Sequence, residues 1–220
     1  MNCKFVILII VVGSCNLWAQ NDSLKLKSSY SNLQSTIGIS VGDHKGNVSE
    51  FNTGLIGLEM TISKEVNSSI LGININYLSV FNEKFIPVPV GYRPTVIPRT
   101  LLLGLTYGKV FGRKEISHLH GSIGLNYGWM IYKQIDNKLG GFHGLVPQFE
   151  IGSAIKIGKS KMVENSFTSF LTPKSDYSVK NRFIDIFLSW KPLLFANENA
   201  QGSMIIGGIR FKQSRYYFRN

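Results

Sequence analysis

Between Gln34 and Lys212 the chain alternates apolar with small polar residues in run after run, and this two-residue period limits what it can become. In HLHGSIGLNYGWMIY, His118 to Tyr132, one alternate set is Leu119, Gly121, Ile123, Leu125, Tyr127, Trp129 and Ile131. The other set is His118, His120, Ser122, Gly124, Asn126, Gly128 and Met130. Successive side chains of a strand point to opposite faces, so the segment has one greasy face and one small, polar face. Eight such runs occupy about 34–42, 53–63, 70–81, 100–110, 118–132, 145–158, 183–191 and 203–212. Turn chemistry separates them, as in Asp43-His44-Lys45-Gly46-Asn47 and Lys64-Glu65-Val66-Asn67. No helical period, internal repeat or linker stands out, so the 220 residues read as one domain.

The phase decides which face meets which medium. Ile37, Ile39 and Val41 alternate with Gly38, Ser40 and Gly42; Ile73, Ile75 and Tyr77 alternate with Gly72, Asn74 and Asn76. A soluble sandwich or barrel turns its apolar face inward, and its water face carries many large charged residues. Here the polar face is Gly, Ser, Asn and Thr, which suit a cramped interior. An eight-stranded barrel has an interior just wide enough for side chains to fill. The expected fold is therefore all-β: a closed antiparallel up-and-down transmembrane β-barrel of eight strands, with lipid against the Ile, Leu, Tyr and Trp face. Tyr77, Phe81, Tyr107, Tyr127, Trp129, Trp190 and Phe211 fall on that apolar phase near strand ends. Of these, Tyr77, Tyr107, Tyr127, Trp129, Trp190 and Phe211 are expected to form girdles at the membrane interfaces.

Segments such as LLLGLTYGKVFGRK and NRFIDIFLSWKPLLF, with the pattern from about 34 to 212, resemble the small outer-membrane β-barrel proteins of Gram-negative envelopes. The resemblance is at the level of the class and brings no catalytic signature. Barrels of this class often end in an aromatic residue on the last strand, whereas this chain ends RYYFRN. The class implies periplasmic termini, with outer connections near 43–52, 82–99, 133–144 and 192–202. The long stretch from about 159 to 182 leaves room for an extra hairpin around SFTSFL, and so for ten strands.

The chain opens MNCKFVILIIVVGSCNLWAQND, in which Lys4 precedes an apolar run from Phe5 to Val12. That run is too short to span a bilayer and reads as a secretory signal cleaved after Ala19 or Gln20. A lipobox-like reading, Val12-Gly13-Ser14-Cys15, stands beside it. The organisation is then a signal at 1–19, a short periplasmic segment at 20–33, a barrel at 34–212 and a basic aromatic tail at 213–220. Cys3 and Cys15 both leave with the signal, so the exported chain holds no disulfide and no thiolate. The net charge is +11, and loss of Lys4 leaves +10. For an exported protein that charge points to anionic lipid rather than nucleic acid. Outer-membrane lipid and lipopolysaccharide are the expected partners, together with an envelope protein.

On the inward phase, Glu59, Glu150 and Asp185 face Lys156, Arg210 and Lys212. In a filled barrel these must pair, because an unpaired buried charge costs several kcal/mol. A salt-bridge plug of this kind argues against an open porin. His120-Gly121-Ser122 matches the His-x-Ser spacing of outer-membrane lipid A deacylases, in which a His base activates a Ser nucleophile. Both residues, however, fall on the inward phase, away from lipid. FIPVPVGYRPTVIP, Phe85 to Pro98, holds four of the seven prolines. It reads as a stiff outer loop offering Tyr92, Arg93 and Arg99 for recognition. No cofactor or metal motif appears. The sequence thus favours a non-enzymatic envelope role: structure, surface binding or help in secretion. An outer-membrane lipid A hydrolase using His120 and Ser122, and a soluble periplasmic lipocalin-like binder, remain as alternatives.

Overall fold

A computed structural model describes residues 31–83, 95–112, 116–134, 139–164 and 177–217. The signal segment, Tyr92, Arg93 and SFTSFL lie outside these residues. Eight long strands make the wall: β1 (Ser31–Lys45), β2 (Asn52–Val66), β3 (Ser69–Glu83), β4 (Thr95–Phe111), β5 (Ser117–Gln134), β6 (Leu139–Lys156), β8 (Tyr177–Phe195) and β9 (Gly202–Tyr217). Each is antiparallel to the next. β6 pairs with β8, and β9 returns to pair with β1, so the sheet closes on itself. The ninth strand, β7 (Lys161–Glu164), only extends the sheet beside the first residues of β8. It adds no stave to the wall, and the barrel is eight-stranded.

The strands are longer than the alternating runs. A 15-residue strand at about 3.3 Å per residue and ~40° tilt rises roughly 38 Å, whereas an apolar barrel belt is about 25 Å tall. The alternation marks only the belt, and both strand ends continue past it in polar sequence. So β1 begins at Ser31 and β9 runs to Tyr217, where the sequence pointed to 34 and 212. Residues 213–217 belong to the wall rather than to a tail.

Local chemistry explains the turns and breaks. Asn67 and Ser68 both have positive φ (50° and 67°), the pattern of a type I′ hairpin turn between β2 and β3. On β4 the register shifts between Val96 and Arg99, which admits Pro98 without an interior ladder donor. Arg99 therefore stands on a strand, on the exposed face, and not on the loop where the sequence reading put it. The pairing of β6 with β8 lapses between Leu145–Leu194 and Phe149–Trp190, a gap centred on the facing Pro147 and Pro192. Neither proline has an N–H to offer. The side-chain amide of Asn126 reaches across to the Val146 carbonyl beside this gap, at 3.0 Å.

The phase read from the sequence holds round the wall. Ile37, Ile62, Ile73, Leu105, Ile123, Ile151 and Ile209 are exposed on the outer face, Ile39 to 65% and Ile62 to 62%. Inside, the lumen is filled in two parts. Toward the end away from the chain termini it is apolar, with Leu55, Leu78, Leu102, Met130, Phe195 and Met204 buried. Two single-turn 3-10 helices, Asn47–Glu50 and Glu198–Ala200, cap this end and bury Val48 and Ala200 in it. The caps are joined by Val48 N–H donating to the Gln201 carbonyl at 3.0 Å and Asn47 Nδ2 to the Glu198 carbonyl at 3.1 Å. Toward the termini the lumen is polar.

Candidate functional site: the polar lumen

The register assembles the charges. Glu59 of β2 is paired with Gly38 of β1, Gly38 with Arg210 of β9, and Arg210 with Asp185 of β8, all on the inward face. Gly38 is small because Arg210 crosses it: a Cβ there would lie 2.7 Å from Arg210 Cγ. The guanidinium is the hub. Its Nη2 donates to Glu150 Oε1 at 2.6 Å and to Asp185 Oδ2 at 2.8 Å, and Nε donates to the same Asp185 oxygen at 3.0 Å. Nη1 donates to Glu150 Oε2 at 3.2 Å and lies 3.7 Å from Glu59 Oε2. The flat face of the guanidinium sits 4.0 Å from the centre of the Phe187 ring, a cation–π contact. That ring has room because residue 208 is a glycine; a Cβ there would lie 2.8 Å from it.

Two further residues join this cluster, and the sequence reading assigned neither to it. Lys191 Nζ donates to Glu59 Oε1 at 3.2 Å and is fully buried. His120 Nε2 lies 2.8 Å from Asp185 Oδ1. Lys191 continues the inward phase of Asp185, Phe187 and Ser189, so two more residues of the same alternation point to it. Amides extend the cluster: Gln148 Nε2 donates to Glu150 Oε2 at 3.1 Å, and Asn74 Nδ2 donates to Gln148 Oε1 at 3.2 Å and Asn126 Oδ1 at 2.7 Å. Nearer the termini, Glu65 Oε2 accepts from Asn32 Nδ2 at 3.0 Å and Gln34 Nε2 at 2.6 Å. In the sequence Glu65 reads as part of a turn; of the amides that hold it, Gln34 opens the first run and Asn32 lies just before it.

The remaining expected network members are elsewhere. Lys212 sits against His118, Nζ to Nε2 at 3.2 Å, with the His118 ring edge-on to Phe183. Lys156 is at the barrel mouth, half-buried, donating to Ser160 Oγ at 2.8 Å. It leaves the lumen because β6 ends at that residue. His120 and Ser122 share the lumen wall, but no hydrogen bond joins them; the His120 ring is held by Asp185. Tyr77, Tyr107, Tyr127, Trp129, Trp190 and Phe211 are all exposed on the outer face. Tyr127 packs edge-on to Trp129 and meets His143 Nδ1 through its hydroxyl at 2.7 Å, and Trp190 stacks on Phe149. Phe211 faces Ile37 and Ile184 in mid-strand, away from both rims.

Chemically, this interior holds charge still. Every Asp, Glu, Lys and Arg of the Arg210 cluster has an opposite partner within 4 Å, contributed by β2, β6, β8 and β9. Among the described residues no group of three His, Cys, Asp or Glu side chains is placed to hold a metal ion. The space left beside the cluster, lined by Thr36, Ser63, Thr106 and Ser122 among others, is polar and about 50 Å³, room for water rather than a ligand.

No protein-family model matches the chain, and no curated protein matches it in sequence. Among solved structures it is similar to Neisserial surface protein A, at 8% identity and a TM-score of 0.51, covering 86% of this chain and 97% of that one. Ail, the attachment invasion locus protein of Yersinia pestis, is also similar, at 12% identity and a TM-score of 0.41, covering 86% of this chain and 99% of that one. The first likeness shows a shared fold, a closed eight-stranded antiparallel barrel.

Proposed function

We propose that this chain is an integral outer-membrane barrel, with its termini in the periplasm and a non-enzymatic role in envelope structure, surface binding or secretion assistance. The observation that carries the reading is radial polarity. The outer face exposes about thirty large apolar side chains among the described residues, while seven charged side chains are buried inside. Burying one such side chain is worth about 1.5–3 kcal/mol. Leaving thirty of them in water exceeds the 5–15 kcal/mol by which a domain is stable. A lipid medium removes that cost. A soluble lipocalin-like binder requires the opposite radial order. A lipid A hydrolase requires a Ser–His pair facing lipid, whereas Ser122 and His120 face the lumen. Outer-membrane lipid and lipopolysaccharide are the partners this reading implies.

The test is fractionation of expressing cells, then gel mobility of the outer-membrane fraction with and without boiling. A tight barrel resists detergent until heated, so presence in that fraction with a heat-dependent shift is expected. A soluble periplasmic protein with no shift would sink the reading.

A further inference from the structure

Cross-strand neighbours at the terminal end of the barrel repeat one sign of charge. Lys161 of β7 is directly opposite Lys180 of β8, and Lys180 is directly opposite Arg215 of β9. Arg215 faces Leu33 of β1, which faces Lys64 of β2. Four of five consecutive strands thus present a cation in one lateral row, and Arg182 adds a fifth cation one step nearer the apolar belt. Like charges directly opposite on neighbouring strands are destabilising. Among the described residues none of the five has an ion-pair partner. The carboxylate closest in sequence, Glu65, turns inward and is held by Asn32 and Gln34. The other end of the barrel is different: there Lys45 pairs with Asp43 at 3.6 Å, and the exposed Glu50 and Glu198 dilute the positive charge.

The row points sideways. Lys64 shares the outward phase of the exposed Ile62, and Lys180 and Arg182 share that of Ile184. These cations leave the barrel radially: Arg182, Lys180 and Arg215 stand two to four residues beyond the exposed Ile184 and Phe211, and Lys64 stands at the edge of the belt between the exposed Ile62 and Val66, opposite Leu71. In that direction, and at that depth, the medium is the headgroup layer of a bilayer. A partner in the aqueous phase would approach along the barrel axis. A repulsive row is tolerable when the surrounding layer is itself anionic, and each basic residue near such a surface adds to the attraction.

We propose that Lys64, Lys161, Lys180, Arg182 and Arg215 form a docking surface for anionic phospholipid headgroups in the leaflet on the side of the chain termini. This rests on the membrane reading above and adds a lipid class and a side to it. The full-length barrel is inserted into vesicles of phosphatidylcholine with equal phosphatidylglycerol, and the lipids it retains on extraction are measured by native mass spectrometry. Wild type should retain phosphatidylglycerol over phosphatidylcholine by roughly tenfold or more, and added salt should erode the preference. In the variant Lys64→Gln/Lys180→Gln/Arg182→Gln/Arg215→Gln the ratio should fall toward one. Lys133→Gln, an exposed cation toward the other end of the barrel, should leave it unchanged.

Stability supplies a second readout, and its reversal between lipids is what a purely structural role would not give. In phosphatidylcholine alone the quadruple variant should unfold at a higher temperature than wild type, since repulsion is relieved. In phosphatidylglycerol-rich vesicles that order should reverse. Should the quadruple variant not fold, Lys64→Gln/Arg182→Gln carries the same two tests. Equal retention of both lipids by wild type, an unchanged preference in the variants, or the same sign of shift in both vesicles would overturn the proposal. So would a preference for lipopolysaccharide over phosphatidylglycerol that depends on the same residues. Flotation with the vesicles is scored first. A chain that does not insert takes the membrane reading down as well; one that inserts without preference takes down this inference alone.

Discussion

Lys191 has no route to water, and its ammonium has Glu59 as its carboxylate partner. Such a pair gains little over an apolar pair of similar volume, but losing one partner strands a charge. Lys191→Met leaves Glu59 with only the longer 3.7 Å contact to Arg210 Nη1 and should cost about 3 kcal/mol, read as a lower midpoint in urea or a lower temperature for the gel shift. The double variant Lys191→Met/Glu59→Leu should recover most of that loss. A single variant as stable as wild type would show that Glu59 is neutralised in another way. Inward positions such as Glu59, Glu150, Asp185 and Arg210 are legible in the sequence, because parity alone assigns a strand residue to a face. Their partners are less so. Parity says that Lys156 and Arg210 share the lumen side; it does not say that β6 ends at Lys156 and lets that side chain out. Glu65 is inward by the same parity as Glu59, Thr61 and Ser63, but a Lys-Glu-Val-Asn string reads as turn chemistry until its place on the strand is known.

At the scale of elements, the hairpin between β2 and β3 carries a correctable cost. A left-handed backbone costs an L-residue about 1–2 kcal/mol, and Asn tolerates it better than Ser. Ser68→Gly, which gives the Asn-Gly pair such turns favour, should stabilise the barrel by roughly 1 kcal/mol. The check is the urea midpoint; a fall instead of a rise would mean that the Ser68 side chain has work in the fold. The backbone hydrogen bond from Val110 N–H to the carbonyl of residue 68, 2.9 Å, remains available in the variant. Strand ends were the part of each element least legible in advance. Hydrophobic alternation stops where the apolar belt stops, whereas backbone pairing continues as long as a neighbour continues. Arg99 shows the same limit from another side. Its four upstream prolines predict a loop, yet one register shift takes up Pro98 and the strand begins at Thr95.

At the scale of the whole molecule, the barrel is closed at one end and narrow throughout. Val48 and Ala200 seal the apolar half, and the Arg210 cluster occupies the polar half. Purified protein in a planar bilayer should pass no resolvable ionic current at neutral pH. Regular single-channel steps would mean that the plug opens. The seam between β1 and β9 has a consequence of a different kind, concerning timing. Seven of the eight joints in the ring unite strands that are neighbours along the chain, apart from the short β7, and each can form as a local hairpin. The eighth unites Ser31–Lys45 with Gly202–Tyr217, in register from Ser31–Tyr217 to Lys45–Ser203. Joining partners so far apart in sequence is the slowest kind of pairing. Until the last strand arrives, both edges of the growing sheet stay open and ready to pair with any other strand they meet. The ring is thus completed last, by the two ends of its own chain, and the interval before completion is when the protein most needs a companion.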